Sequence, residues 1–217
     1  MSIEQARFNM IEQQIRPWDV LDQNVLSLLA VVRREDFVPA EHRAMAFFDT
    51  EVPLGHGQTM LAPKVEARLL QELDVRKHER VLEIGTGSGY MAALLAHRAR
   101  EVVTVEVQPE LASTAIANLR RAAITNASVL QADASKGLPT PGPFDAIVLS
   151  GSVASVPPAL LAELKVGGRL IAIVGQLPVM RATLVTRVGD TEYRNTEIFD
   201  TVAPRLQGFQ EPSRFTF

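Results

Sequence analysis

Beyond Arg80 the chain alternates short apolar runs with stretches whose apolar residues recur at helical spacing. Val81-Leu82-Glu83-Ile84 reads as a short buried strand. Tyr90 to Arg98 reads as a helix that places Met91, Leu94 and Leu95 on one face. Glu101 to Glu106 is β-branched and predicts a second strand. Pro109 then takes a favoured first-turn position in a helix with Leu111, Ala115 and Leu119 inward. Further strands are expected at Ser128 to Gln131, Phe144 to Leu149 and Arg169 to Val174, with a helix after Pro158. Such strand-helix alternation predicts a parallel sheet with helices on both faces. Arg181 to Val188 alternates. Gly189-Asp190 then reads as a two-residue hairpin turn before a last strand from about Tyr193, so an antiparallel pair should close the sheet.

The part before Leu73 has a different pattern. Asp22 is a plausible N-cap, with Val25, Leu28, Leu29 and Val32 on one helical face, and Arg16-Pro17-Trp18 breaks the segment before it. From Phe47 to Pro63 periodicity disappears among Pro53, Gly55, Gly57 and Pro63. A long loop with short strands is expected there, of the kind that often covers a binding site, followed by a helix over 64–73.

Composition narrows the classes. The 217 residues, 47% hydrophobic and 22% charged, have ordinary globular make-up. Apolar runs such as Leu28 to Val32 fall far short of the roughly 20 residues of a membrane helix. The opening Met-Ser-Ile-Glu-Gln lacks the basic and apolar regions of a secretory leader, so a cytoplasmic protein is expected. There is no cysteine, hence no disulfide, thiolate metal site or cysteine nucleophile. A net charge of -3 gives no broad drive toward nucleic acid or membrane, and Arg76, Lys77, His78 and Arg80 read as a solvated loop. The four histidines lack metal-ligand spacing, so no metal is expected.

The sharpest motif is Glu83-Ile84-Gly85-Thr86-Gly87-Ser88-Gly89-Tyr90, a glycine loop between strand and helix. A dinucleotide fingerprint needs its third glycine where Tyr90 stands. The spacing instead resembles the first motif of S-adenosylmethionine-dependent methyltransferases, which bind no pyrophosphate. Glu106, ending the second strand with Val107 after it, is placed to accept hydrogen bonds from ribose hydroxyls, a device shared with NAD enzymes. Asp133-Ala134 follows the third strand, where it either approaches an adenine or simply makes a turn. Ser150-Gly151-Ser152 follows the fourth strand at the ligand edge of the sheet, so its hydroxyls are candidates to face a substrate.

Over nearly its whole length the chain resembles the protein-L-isoaspartate O-methyltransferase family. Arg34-Glu35-Asp36-Phe37-Val38-Pro39 looks like that family's entry segment, and Asp49, Pro53, Gly57-Gln58-Thr59 and Pro63 its substrate loop. Val81 to Tyr90, Val105-Glu106, Phe144-Asp145-Ala146-Ile147 and Gly167-Gly168-Arg169-Leu170 are similar to its sheet motifs. The resemblance implies a Rossmann-like class I methyltransferase fold in one domain over 1–217. Residues 1–75 would form a helical entry segment and substrate loop, and 76–217 the cofactor-binding core.

It also implies S-adenosylmethionine as cofactor, S-adenosylhomocysteine as product, no metal, and protein repair as the role. Glu83, Gly85, Thr86, Gly87, Ser88, Gly89, Tyr90, Glu106, Val107, Asp133 and Ala134 would bind cofactor. Thr59 and Leu61 would occupy the catalytic loop, while Gln58, Met60, Ser150, Ser152 and Pro204 would line the substrate side. The departures fall on that side. Leu61 stands where the family carries a serine, Ala132-Asp133-Ala134 replaces Gly-Asp-Gly, Ser150-Gly151-Ser152 replaces Thr-Ala-Ala, and Val202-Ala203-Pro204-Arg205-Leu206 replaces Phe-Val-Pro-Leu. The leading expectation is methylation of the isoaspartyl carboxylate in proteins or peptides. The alternatives are a relative with a different acceptor and a cofactor-binding protein without turnover.

Overall fold

A computed structural model describes residues 2–210. Its centre is a seven-stranded sheet in the order β5-β4-β3-β6-β7-β8-β9. These strands are β3 (Arg80–Ile84), β4 (Glu101–Glu106), β5 (Ala127–Gln131), β6 (Phe144–Val153), β7 (Leu164–Gln176), β8 (Val179–Arg187) and β9 (Tyr193–Thr201). The strands from β5 to β7 pair in parallel, and β8 and β9 antiparallel. Their sequences fit these places. The strands RVLEI and EVVTVE are buried along nearly their whole length, as strands covered on both faces are, whereas edge strand β9 is mostly polar and largely exposed or half-buried.

Helices α4 (Tyr90–Arg98), α5 (Pro109–Arg121) and α6 (Pro158–Ala162) connect the strands. Val81 and Val102 join the hydrophobic layer under the N-terminal helices, while Leu82, Ile84, Val103 and Val105 join the layer on the opposite face. From β3 the chain builds outward through β4 to β5, then crosses back to lay β6 on the other side of β3. The loops after β3 and β6 therefore diverge and open a crevice at the strands' carboxyl ends, where ligands bind in sheets of this kind.

The N-terminal region covers that crevice. It comprises α1 (Ile3–Met10), α2 (Gln23–Val31), the hairpin β1 (Val52–Gly55) and β2 (Gln58–Met60), and α3 (Pro63–Leu73). Asp22 caps α2 by accepting from the Asn24 amide at 2.8 Å. The break expected at Arg16-Pro17-Trp18 is softer than a stop. The chain runs on past α1 through a π-helical turn at Ile11–Ile15 and a 3-10 turn at Arg16–Trp18, and ends in left-handed Asp19. Proline is tolerated there because it sits in the first turn of the new segment.

The last hairpin also differs from expectation. β8 ends at Arg187 and β9 starts at Tyr193, so five residues rather than two connect them. The Arg187 guanidinium donates to the carbonyls of Gly189 (3.2 Å) and Asp190 (2.6 Å), giving the wider turn the partners a tight one would lack.

One buried ion pair ties the parts of this cover together. Arg34, 1% exposed, pairs with Glu66 of α3 and donates to the Leu61 carbonyl at 2.8 Å, with its guanidinium 5.2 Å from the Tyr90 ring centre. Removing one partner of a buried pair leaves the other uncompensated, at about 3–5 kcal/mol. Arg34→Met should therefore lower the melting temperature by roughly 6–20 °C, at about 2–4 °C per kcal/mol for a chain of this size. Arg34→Met with Glu66→Leu should recover part of the loss by calorimetry. A single variant within about 2 °C of wild type would show that the pair does not fasten the cover.

A candidate cofactor and methyl-transfer cleft

The glycine loop leaves β3 with a conformation only glycine takes easily. Gly85 has φ +90°, and a Cβ there would stand 2.7 Å from the Leu206 side chain. Gly89, also left-handed, faces helix α5, where a Cβ would meet the Ala115 backbone at 3.4 Å. Its role is close helix packing, away from the ligand crevice.

Two connected spaces lie above this loop. The outer cleft, about 520 Å³, is lined by Gln58, Thr59, Gly85, Glu106, Ser150 and apolar residues including Val107, Leu111, Ala134 and Phe209. The inner recess, about 260 Å³, reaches Met60, Leu61, Glu66, Glu83, Thr86, Ser88 and Tyr90. Thr59, Gly85, Gly87 and Ser150 line both spaces and so mark their junction.

Glu106 is nearly buried, and its two oxygens accept from the Gly87 amide (2.8 Å) and the Gln108 amide (3.0 Å). A carboxylate offers about four lone-pair sites, so two remain for a pair of ribose hydroxyls. The apolar walls beyond it suit a flat adenine. Among the described residues, the lining of the two spaces includes Glu106, Glu66 and Glu83 but no lysine or arginine. Such a site disfavours a pyrophosphate and fits a ligand carrying a sulfonium cation, so the residues present match S-adenosylmethionine.

Glu83 is the group most altered by its surroundings. Pairing sets it beside Thr104 in β4, and the Thr104 hydroxyl donates to one of its oxygens at 2.7 Å. The Ser150 hydroxyl donates to the other at 2.7 Å. The β6–β7 register shifts between Val148 and Ser152, an irregularity that re-aims side chains and brings Ser150 to the cleft. Burial pushes the Glu83 carboxyl up to about 8, against the two hydroxyl bonds, with Glu66 and Glu106 adding repulsion. Burial likewise raises Glu66 to about 7, opposed by Arg34, and pushes the Tyr90 phenol up.

The remaining sequence-predicted positions divide. Thr59 lies at the junction, its hydroxyl donating to Glu51 at 3.1 Å. Leu61 is buried in the core and presents an apolar wall to the recess. Ser88 is buried, its carbonyl held by Asn118 at 2.9 Å. Three expected contacts point elsewhere. Asp133 turns away to cap its own turn, accepting from the Ser135 amide (3.1 Å) and hydroxyl (2.6 Å), while its neighbours Ala132 and Ala134 line the cleft. The Ser135 hydroxyl, then Lys136, hold its carboxyl below the usual range. Ser152 is fully buried, and it donates its hydroxyl to the Ala203 carbonyl and its amide to the Pro204 carbonyl, both at 2.8 Å. Ser152 and Pro204 thus tie the C-terminal segment to β6.

That tie brings in what sequence reasoning missed. The segment after β9 runs beside the end of β6 and lays Leu206, Gln207 and Phe209 into the outer cleft. Its contacts are long-range, so no local pattern announces them. Arg34 and Glu66 were missed too, although Glu66 shares the apolar stripe of Leu69, Leu70 and Leu73, a visible signal of a buried charge.

The family model for Protein-L-isoaspartate(D-aspartate) O-methyltransferase matches residues 5–202. Protein-L-isoaspartate O-methyltransferase 2 of Marinobacter nauticus is 41% identical over 199 residues, covering 91% of each chain. The Protein-L-isoaspartate O-methyltransferase of Methanoculleus marisnigri is 43% identical over 169 residues, 78% of this chain and 77% of its own. Among solved structures, a Plasmodium falciparum protein-L-isoaspartate O-methyltransferase in complex with S-adenosyl-L-homocysteine superposes with TM-score 0.79. It is 21% identical and covers 93% of this chain and 98% of its own, a likeness of fold.

The raised Glu83 carboxyl gives a testable pH dependence. Between about pH 4.5 and 8 the folded chain holds a proton on Glu83 that the unfolded chain has released. The stability from this group is full below about 4.5 and is lost as pH rises through 8. From about pH 6 to about pH 9 the wild type should therefore lose more melting temperature than Glu83→Gln, by several degrees in scanning calorimetry. Equal losses would mean that Glu83 is ionised throughout.

Proposed function

The chain belongs to the protein-L-isoaspartate O-methyltransferase family, and from that premise we propose that it methylates the side carboxylate of L-isoaspartyl residues in damaged proteins, with S-adenosylmethionine as methyl donor. The observation that carries the reading is the cation-free cleft between Glu106 and the Gln58–Met60 hairpin. When bound, S-adenosylmethionine supplies a methyl carbon on a positively charged sulfur that leaves as a neutral thioether. The residues of the chain supply position and environment.

Glu106 takes the ribose end and the glycine loop lets the ligand lie against backbone. The apolar wall of Val107, Leu111, Ala134 and Phe209 takes the adenine. Thr59 and Ser150 then stand at the junction, where the acceptor meets the donor. The acceptor carboxylate is already ionised near neutral pH, so no general base is needed. Alignment alone is worth on the order of 7–11 kcal/mol for well-oriented reactants. Hairpin β1–β2 roofs the junction, and Met60 and Leu61 exclude water from the recess. Residues 1–217 act as one methyltransferase domain in this reading. Cytoplasmic residence is part of it. Among the described residues no helix is long and apolar enough to cross a membrane.

Calorimetry should detect micromolar binding of S-adenosylhomocysteine, weakened about tenfold or more by Glu106→Ala, since hydrogen bonds to a charged group contribute about 1.5–3 kcal/mol. Labelled methyl groups should pass to an isoaspartyl peptide and not to its aspartyl twin. Tight NADH binding without binding of the adenosyl ligands, or equal labelling of the twins, would end this reading.

A further inference from the structure

We propose that Ser150, backed by a Glu83 carboxyl that donates to it, supplies the hydroxyl hydrogen bond to the acceptor carboxylate that Leu61 cannot. The inference rests on the isoaspartyl reading above and assigns the acceptor-binding group within that site.

Four observations lead there. The loop position at which the resembled family carries a serine is Leu61, an aliphatic side chain buried under the hairpin. Among the residues that line both spaces, Thr59 and Ser150 carry hydroxyls, and Thr59 already donates to Glu51. The β6 irregularity places Ser150 at the junction with its oxygen 2.7 Å from Glu83. Glu83 is fully buried between the Thr104 and Ser150 hydroxyls, and Arg34 is committed to Glu66 and the Leu61 carbonyl.

A neutral carboxyl in that position has a proton to give. The bonded series Thr86, Thr104, Glu83, Ser150 runs in one direction when each hydroxyl donates to the next oxygen. Glu83 then donates to the Ser150 oxygen, and the Ser150 O–H is free to point into the junction. An arriving carboxylate favours that direction, because a hydroxyl aimed at an anion makes a charge-assisted bond. With Glu83 ionised, the Ser150 proton turns back to Glu83 and a second anion stands behind the acceptor. The groups facing Glu83 are Thr104 and Ser150, with Glu66 from α3 and Glu106 from β4 acting through space.

No proton transfers in the chemical step. An acceptor oxygen forms a bond to the methyl carbon, the carbon–sulfur bond breaks with its pair to sulfur, and the two opposite charges vanish together. The Ser150 hydroxyl orients and holds the attacking group.

The test compares wild type, Ser150→Ala, Ser150→Thr and Glu83→Gln, with S-adenosylhomocysteine affinity measured for each. Ser150→Ala should lower kcat/KM on an isoaspartyl peptide ten- to hundredfold and weaken calorimetric binding of that peptide to the S-adenosylhomocysteine-loaded protein. The affinity for S-adenosylhomocysteine itself should move less than about threefold. Ser150→Thr should regain most of the loss. The wild-type rate should fall above about pH 8, and Glu83→Gln should abolish that fall. An active wild type with an unaffected Ser150→Ala overturns this inference alone. So does a Ser150→Ala defect that tracks lost cofactor affinity, or a Glu83→Gln enzyme with the wild-type alkaline fall. A wild type that binds S-adenosylhomocysteine yet labels no isoaspartyl peptide overturns the functional reading and this inference with it.

Discussion

Glu83 lies in the interior strand β3, two residues before Gly85, with its carboxyl shut away from water between two hydroxyls. Burying an ionised carboxylate without a cation is costly enough that the group keeps its proton instead. That constraint reaches in several directions. It requires a hydroxyl at Thr104, which strand pairing puts alongside, and another from β6, which an irregular register delivers as Ser150. It also leaves Arg34 to balance Glu66, whose carboxyl burial likewise raises, to about 7.

The same arrangement explains why the cofactor end and the acceptor end differ in character. At the cofactor end, Glu106 is fixed by two backbone amides and retains lone pairs for hydroxyls, a geometry that needs no rearrangement on binding. At the acceptor end the walls are apolar and the hydrogen-bonding groups are hydroxyls backed by a neutral carboxyl. An anionic acceptor approaching a sulfonium meets attraction from the donor and no full negative charge from Glu83. The N-terminal region contributes by holding the hairpin over the junction, through the Arg34–Glu66 pair and the Leu61 carbonyl.

Much of this was legible in the sequence. Helix α4 and strand β4 fall at the expected residues, and the parallel sheet with its antiparallel closing pair follows from strand-helix alternation. The glycine loop and Glu106 announce the cofactor end because their chemistry is local, written within one strand-loop-helix unit. What stayed hidden depends on distant parts of the chain. Leu206 and Phe209 enter the cleft only because Ser152 ties their segment to β6. At Asp133 the structure takes the turn, one of the two readings the sequence offered, with Ser135 as partner. The Gly189-Asp190 signal was overridden by Arg187, whose guanidinium supports a longer turn.

The division of labour between a cofactor end at Glu106 and an acceptor junction at Ser150 can be seen directly. A crystal structure with S-adenosylhomocysteine and an isoaspartyl peptide should place the ribose on Glu106. The peptide's side carboxylate should lie within hydrogen-bond distance of the Ser150 hydroxyl, facing the sulfur beneath the Gln58–Met60 hairpin. A ribose away from Glu106, or an acceptor carboxylate held by other groups with Ser150 still donating to Glu83, would contradict it.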